Sequence, residues 1–140
     1  MANAEKVVNV VKELALPSGK FAVFGGACLA LLGIREAHDI EVFVSKDCVG
    51  YFQDDLWRQT SFNGQNPHLL GVVLDTEVQA FLDWDCPGWQ PNIASYFSEP
   101  EVVEGVPCMP LDELMKWKHA TARPKDLRDM ELVDQWQQAR

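Results

Sequence analysis

Asp39 and Glu41 are two carboxylates at the start of an alternating apolar segment, residues 39–45. Side chains two positions apart on a β-strand project from the same face, so both carboxylates are expected to reach one point. Like charges there raise each other's proton affinity unless a cation lies between them. A hard divalent ion such as Mg²⁺ suits the pair, because it takes oxygen ligands and keeps other positions for water and phosphate. A solvated strand end is the alternative interpretation.

Gly25 and Gly26 follow a short apolar run, residues 21–24, and precede a second apolar run that begins at residue 27. A glycine pair between a strand and a helix lets backbone amides approach a ligand closely, and a helix N-terminus favours anions. Taken alone, the pair is more typical of a tight turn. Followed by a carboxylate pair on the next strand, it is an arrangement that would hold a metal-bound nucleotide.

On these residues the sequence resembles the nucleotidyltransferase superfamily, which has a DNA polymerase β-like fold. The family pattern is a hydrophobic residue, Gly and Gly or Ser, then a gap, then Asp-hydrophobic-Asp or Glu. Here Phe24-Gly25-Gly26 is followed, after the twelve residues 27–38, by Asp39-Ile40-Glu41-Val42. Arg35 is similar to the Arg that often precedes the carboxylate pair in small bacterial members.

The superfamily has a third carboxylate on a later strand, flanked by hydrophobic residues. Asp83 fits this pattern best, whereas Glu77 and Asp85 are less well flanked. Gln79 is the alternative occupant of the position. In that case the third metal ligand has been lost, because an amide carries no negative charge.

The segment LDELMKWKHATARPKDLRDMELV, residues 111–133, looks like the C-terminal part of standalone nucleotidyltransferases related to AbiEii-type toxins. The matching positions are Lys118, Arg123, Lys125, Asp126 and Asp129. The resemblance implies that Lys118 contacts the triphosphate, that Arg123 and Lys125 assist, and that an aspartate orients them or the nucleophile. A surface helix carrying Lys–Asp pairs is the alternative.

The resemblance implies transfer of a nucleoside monophosphate from a nucleoside triphosphate to an acceptor, with Mg²⁺ or Mn²⁺ and release of pyrophosphate. The acceptor is expected to be a small molecule, a protein or an RNA end. A non-catalytic nucleotide-binding or protein-interaction module is the alternative, and residues 132–140 could form an interface with a protein partner or in a homodimer. The expected catalytic and metal-binding residues are Asp39, Glu41 and Asp83; the expected nucleotide-binding residues are Gly25, Gly26, Arg35, Lys118, Arg123 and Lys125.

The elements that position these residues follow from hydrophobic periodicity and turn signals. Helices are predicted at residues 4–14, 27–33 and 46–58, and on both sides of Pro124, which should begin the last helix. Strands are predicted at residues 21–24, 39–45, 69–74 and 76–84 and around 102–106, with a hairpin turn at Asn63-Gly64. This order predicts an α+β (mixed α/β) fold with a small mixed sheet, helices packed on it and C-terminal helices. One domain, residues 1–140, is expected.

The 140 residues include 21 acidic and 12 basic side chains, for a net charge of −9. This charge disfavours non-specific nucleic-acid binding over most of the surface. The four cysteines form no CxxC pair, which argues against a zinc site and favours reduced thiols. No signal peptide and no apolar run of roughly 18 residues is recognisable, so a cytoplasmic protein that does not span a membrane is expected. Trp84 and Trp89 lie near the expected third carboxylate and are therefore the candidates for stacking on a nucleobase.

Overall fold

The computed structural model describes residues 1–140, and its centre is a sheet of three adjacent strands. Strand β1 (Phe21–Phe24) pairs antiparallel with β2 (Ile40–Val44), and β2 pairs parallel with β5 (Thr76–Phe81). Every residue of β1 is buried, as expected for a strand covered on both faces. Glu41 lies on β2 and Gln79 on β5, while Gly25 directly follows β1 and Asp39 directly precedes β2.

Four further strands extend the sheet to seven. The spatial order is β3-β4-β5-β2-β1-β7-β6, with both parallel and antiparallel pairs. The added strands are β3 (Arg58–Phe62), β4 (Gln65–Val73), β6 (Glu101–Val103) and β7 (Val106–Cys108). The turn between β3 and β4 is Asn63-Gly64, with φ of 54° and 85°. Both residues adopt the left-handed conformation that a two-residue hairpin favours, which confirms the predicted turn.

Five α-helices and one 3₁₀ helix flank the sheet. They are α1 (Ala4–Leu14), α2 (Gly26–Leu31), a 3₁₀ helix (Lys46–Phe52), α3 (Ile93–Ser98), α4 (Leu111–Thr121) and α5 (Pro124–Gln138). Asn3 caps α1 by accepting a hydrogen bond from the Lys6 amide at 2.9 Å. Pro124 occupies the first turn of α5, as predicted, because proline lacks the amide proton that this position leaves unpaired.

An aromatic cluster lies beneath the end of β1. The rings of Phe24 and Phe43 stack with centroids 3.8 Å apart, and Trp117 of α4 packs on Phe24 at 5.7 Å. Burying each such side chain stabilises the fold by about 1.5–3 kcal/mol. Because Phe24 immediately precedes Gly25, this packing anchors the residue at which the glycine turn begins.

The predicted mixed α/β fold is confirmed, and two local predictions are wrong. The helix predicted at residues 46–58 ends at Phe52 as a 3₁₀ helix, and residues from Arg58 onward pair with β4. Gly50 disfavours a longer α-helix, and strand pairing then takes the following residues. Helix α3 was not predicted, because its six residues are too few to show a helical period.

No helix is both long and apolar enough to cross a membrane. All four cysteines are buried with free thiols.

Candidate functional site

The carboxylate pair lies on one face of the sheet, between its central strands. Asp39 immediately precedes β2, and Glu41 stands opposite Phe24 of β1 and Gln79 of β5. Because directly opposed residues of neighbouring strands project to the same side, Asp39, Glu41 and Gln79 share this face. The face opens beside the Gly25-Gly26 turn.

Side chains of the protein itself crowd both glycines. A Cβ at Gly25 would lie 2.7 Å from Oε1 of Glu41, and a Cβ at Gly26 would lie 3.1 Å from Nη2 of Arg35. Gly25 also has φ +71° and ψ −145°, a conformation essentially restricted to glycine. The glycine pair therefore lets Glu41 and Arg35 press directly against the turn.

Neither carboxylate of the pair has an ion-pair partner. Burial and the neighbouring Asp39 raise the pKa of Glu41 to about 8, although Lys118 and Lys125 oppose this shift. Burial and the charge of Glu77 raise the pKa of Asp39. Two partly buried carboxylates with elevated proton affinity are short of positive charge, and a divalent cation would supply it.

A buried ion cluster joins α4 and α5 to the segment before β2. The Arg35 guanidinium donates two hydrogen bonds to Asp129, at 2.7 and 2.8 Å. Lys118 lies 2.8 Å from Asp129 and 3.5 Å from Asp126. Arg123 donates to Asp126 at 2.8 and 3.1 Å. The cluster therefore holds the Arg35 side chain in place against Gly26.

Asp126 and Asp129 are ionised within this cluster. Burial alone would raise the pKa of Asp126, but hydrogen bonds from Arg123 and from the Thr121 hydroxyl hold it at about 2. For Asp129, burial is likewise outweighed by bonds from Arg35 and Lys118, so its pKa is lowered. Lys118 is only 6% exposed and already balanced by two carboxylates.

Lys125 and Arg128 differ from Lys118, because they are exposed and take part in no ion pair. Lys125 lowers the pKa of both Asp39 and Glu41, which places its charge near the carboxylate pair. Arg128 lines the same cleft and was not singled out in the sequence. Its position one helical turn after Lys125 on α5 is the signal that could have revealed it.

Gln79, and not Asp83, lies beside the carboxylate pair. Gln79 is directly opposite Glu41, and its Nε2 donates to Glu77 at 2.9 Å and to Asp39 at 3.4 Å. Asp83 follows the end of β5, is exposed and lines a different cavity. No group of three or more His, Cys, Asp or Glu side chains is placed to hold a metal ion. The carboxylate alternatives Asp83 and Asp85 are thus both outside the cleft, and Glu77 does not line it but bonds to Gln79 and raises the pKa of Asp39.

These residues border one cleft of about 720 Å³. Five of the twelve basic side chains of this acidic protein line it, and Trp84 also contributes to its wall whereas Trp89 does not. Of the residues predicted from the sequence, the cleft brings together Gly25, Gly26, Arg35, Asp39, Glu41, Lys118, Arg123 and Lys125; it leaves out Asp83.

Comparison with known proteins finds a likeness at the level of structure. No family model and no curated protein matches the sequence. A proposed nucleotidyltransferase from Thermotoga maritima superposes with a TM-score of 0.58 at 16% identity, covering 100% of this chain and 97% of its own. The antibiotic-resistance factor ANT(2'')-Ia gives a TM-score of 0.47 at 18% identity, covering 86% of this chain and 71% of its own. Its complex with adenylyl-2''-tobramycin gives a TM-score of 0.48 at 17% identity, covering 91% of this chain and 82% of its own.

The chain therefore has a nucleotidyltransferase-like fold. The relationship to AbiEii-type proteins stays a prediction.

Proposed function

We propose that this nucleotidyltransferase-like fold transfers a nucleoside monophosphate from a nucleoside triphosphate to an acceptor. The observation that carries the proposal is the meeting of Asp39 and Glu41 with the Gly25-Gly26 turn in a cleft rich in basic side chains. Carboxylates recruit a metal ion, and unpaired cations attract phosphate. Both kinds of group are needed to hold a metal–triphosphate.

Asp39 and Glu41 would hold one divalent cation, Mg²⁺ or Mn²⁺. Their elevated pKa values and the absence of ion-pair partners suit such a ligand. When bound, the cation would neutralise charge on the phosphates during transfer. Gln79 supplies a neutral amide where a third carboxylate would stand, so the chain's own residues favour a site with one cation.

The basic residues divide into two groups by their contacts. Lys118 and Arg123 are held by the buried carboxylates of Asp129 and Asp126, which balance much of their charge. Lys125 and Arg128 are free of such partners and would contact the β- and γ-phosphates directly. This assigns the direct triphosphate contact to α5 and not to Lys118, the position implied by the sequence resemblance.

In the proposed step, an acceptor hydroxyl oxygen forms a bond to the α-phosphorus. The bond from that phosphorus to the bridging oxygen breaks, and pyrophosphate leaves with both electrons of the bond. The hydroxyl proton passes to solvent water, because Asp39 and Glu41 would be bound to the cation and would then be poor bases. Lys125 and Arg128 stabilise the charge that develops on the leaving pyrophosphate.

A labelled-transfer assay tests this function. The protein is incubated with Mg²⁺ and each α-³²P-labelled nucleoside triphosphate, and label transfer and pyrophosphate release are measured in a mixture of candidate acceptors. We expect release that depends on the divalent ion and is lost in Asp39→Asn, whereas Lys12→Gln on the distant α1 retains it. Equal release by wild type and Asp39→Asn would overturn the proposal.

A nucleotide-binding module without catalysis is the second candidate, and Gln79 is the observation that favours it. An amide bonded to both Asp39 and Glu77 cannot act as a base and binds cations weakly. Metal-dependent nucleotide binding without any transfer would support this candidate. Absence of both binding and transfer would exclude both candidates.

A further inference from the structure

A second cavity, of about 990 Å³, adjoins the cleft and has no role in the function proposed so far. It lies between the segment after the 3₁₀ helix, the β3–β4 hairpin and the residues that follow β5. Asn66 and Trp84 line both spaces. Asn66 accepts a hydrogen bond from the Asp85 amide at 2.7 Å and donates one to the Asp85 carbonyl at 3.2 Å, which fixes the shared wall.

Rigid aromatic side chains form part of this cavity. Trp57 and Phe52 pack edge to face with centroids 4.8 Å apart. Trp57 is also seated on Gly71, where an added Cβ would lie 2.6 Å from the indole ring. Trp84 stands on the opposite side, at the shared wall. Such surfaces accept an apolar or aromatic body, and their ring faces attract cations.

The charge of this cavity is opposite to that of the cleft. Asp54, Asp83 and Asp85 line it, and none of its nineteen lining residues is Lys or Arg. The three carboxylates accept hydrogen bonds only from neutral groups, and none takes part in an ion pair. They are therefore free to attract a cation.

His68 adds an unpartnered polar atom to the same cavity. The side chain is 6% exposed and packs against the rings of Phe62 and Phe81, with centroids 4.7 and 4.5 Å away. Its Nδ1 lies 2.9 Å from the Asn66 carbonyl, which can only accept, so Nδ1 carries the proton. This leaves Nε2 as an acceptor without a partner in the protein, suited to a ligand N–H or O–H group.

We infer that this second cavity binds the acceptor, and that the acceptor is a small organic cation with an apolar body and a hydroxyl group. The inference rests on the proposed function, because that function is what identifies the bound molecule as the acceptor. The ammonium group would face Asp54 and Asp83, the body would lie against Trp57 and Trp84, and the hydroxyl would reach past the border at Asn66 into the cleft. The opposite charges of the two spaces would keep the acceptor and the triphosphate each in its own site.

The test compares three phenols of similar size that differ in charge: tyramine (cation), 4-ethylphenol (neutral) and 4-hydroxyphenylacetate (anion). Each is titrated into the full chain without nucleotide or divalent ion, and the five tryptophan indole signals are followed by ¹⁵N–¹H NMR. We expect tyramine to bind with Kd of about 1 mM or lower, at least about tenfold tighter than 4-ethylphenol, and to shift the signals of Trp57 and Trp84. Equal binding of all three probes, no binding of tyramine, or shifts confined to other tryptophans would overturn the inference.

Variants give an independent check. The double substitution Asp54→Asn and Asp83→Asn should weaken tyramine binding about tenfold without changing 4-ethylphenol binding. Asp75→Asn removes a charge in a turn that lines neither space, and it should leave tyramine binding unchanged. Tyramine binding without nucleotide transfer would contradict the proposed function alone, whereas transfer without tyramine binding would contradict the cation site alone.

Discussion

At the scale of single residues, the site is defined by what surrounds Glu41. The Glu41 carboxylate lies against Gly25, whose backbone conformation is restricted to glycine, and the nearby Asp39 helps to raise the pKa of Glu41 to about 8. A carboxyl group in this situation destabilises the fold when it ionises alone. A carboxyl group that destabilises the fold in this way is typical of a ligand-binding position.

Asp39→Asn is expected to abolish nucleotide transfer while leaving the thermal midpoint of the metal-free protein unchanged or higher. The reason is that burial and Glu77 already disfavour the Asp39 charge. Calorimetric melting in the presence of EDTA, combined with the transfer assay, measures both effects. A large loss of stability would indicate a structural role for Asp39.

Gly25→Ala is expected to destabilise the protein by at least about 2 kcal/mol, because it combines a disfavoured backbone conformation with a contact against Glu41. Gly19→Ala is the matched control, since Gly19 has φ +80° and open space around its Cβ position. Urea unfolding of the two variants measures the difference. Equal destabilisation would show that Glu41 does not press on the turn.

Gln79→Glu is expected to lower the melting temperature of the metal-free protein and to raise Mn²⁺ affinity. The new carboxylate would stand opposite Glu41 and add a third negative charge to the pair. Melting with and without Mn²⁺ measures both effects, with the exposed Gln137→Glu as control. Unchanged Mn²⁺ affinity would contradict the position assigned to Gln79.

At the scale of elements, strand pairing decides which residues reach the site. The sequence predicted β1, α1 and the start of α5 accurately, because each has a clear hydrophobic period or a terminal signal. It favoured Asp83 over Gln79 as the third carboxylate position, because the hydrophobic neighbours Leu82 and Trp84 fit the family pattern. Only the parallel register of β2 with β5 places Gln79 opposite Glu41, and register depends on contacts between distant parts of the chain.

The α4–α5 ion cluster gives a pH-dependent prediction. The folded-state pKa of Asp126, about 2, lies below its ordinary value, so the cluster's stabilisation is present above about pH 4 and is lost as the pH falls toward 2. Asp126→Asn should therefore cost about 2–3 kcal/mol at pH 7, and the difference from wild type should shrink below pH 4. Urea unfolding from pH 7 to pH 3 measures this difference. A difference that grows as the pH falls would contradict the assignment.

At the scale of the whole molecule, charge is segregated. The chain carries a net charge of −9, yet its cleft holds five basic side chains and the adjoining cavity holds none. Four acidic side chains also line the cleft, so its unpaired cations Lys125 and Arg128 are the groups that would attract a triphosphate. The anionic donor and a cationic acceptor would then lie in neighbouring spaces that share Asn66 and Trp84.

The central claim is that Asp39 and Glu41 hold a divalent ion with a nucleoside triphosphate beside the Gly25-Gly26 turn. The most direct measurement is a titration of Mn²⁺ into the protein with a non-hydrolysable ATP analogue, with free Mn²⁺ followed by electron paramagnetic resonance. The account predicts one Mn²⁺ ion per chain that is bound more tightly by protein and analogue together than by the analogue alone, and no such gain for the double variant Asp39→Asn and Glu41→Gln. Identical titration curves for the wild type and the double variant would contradict it.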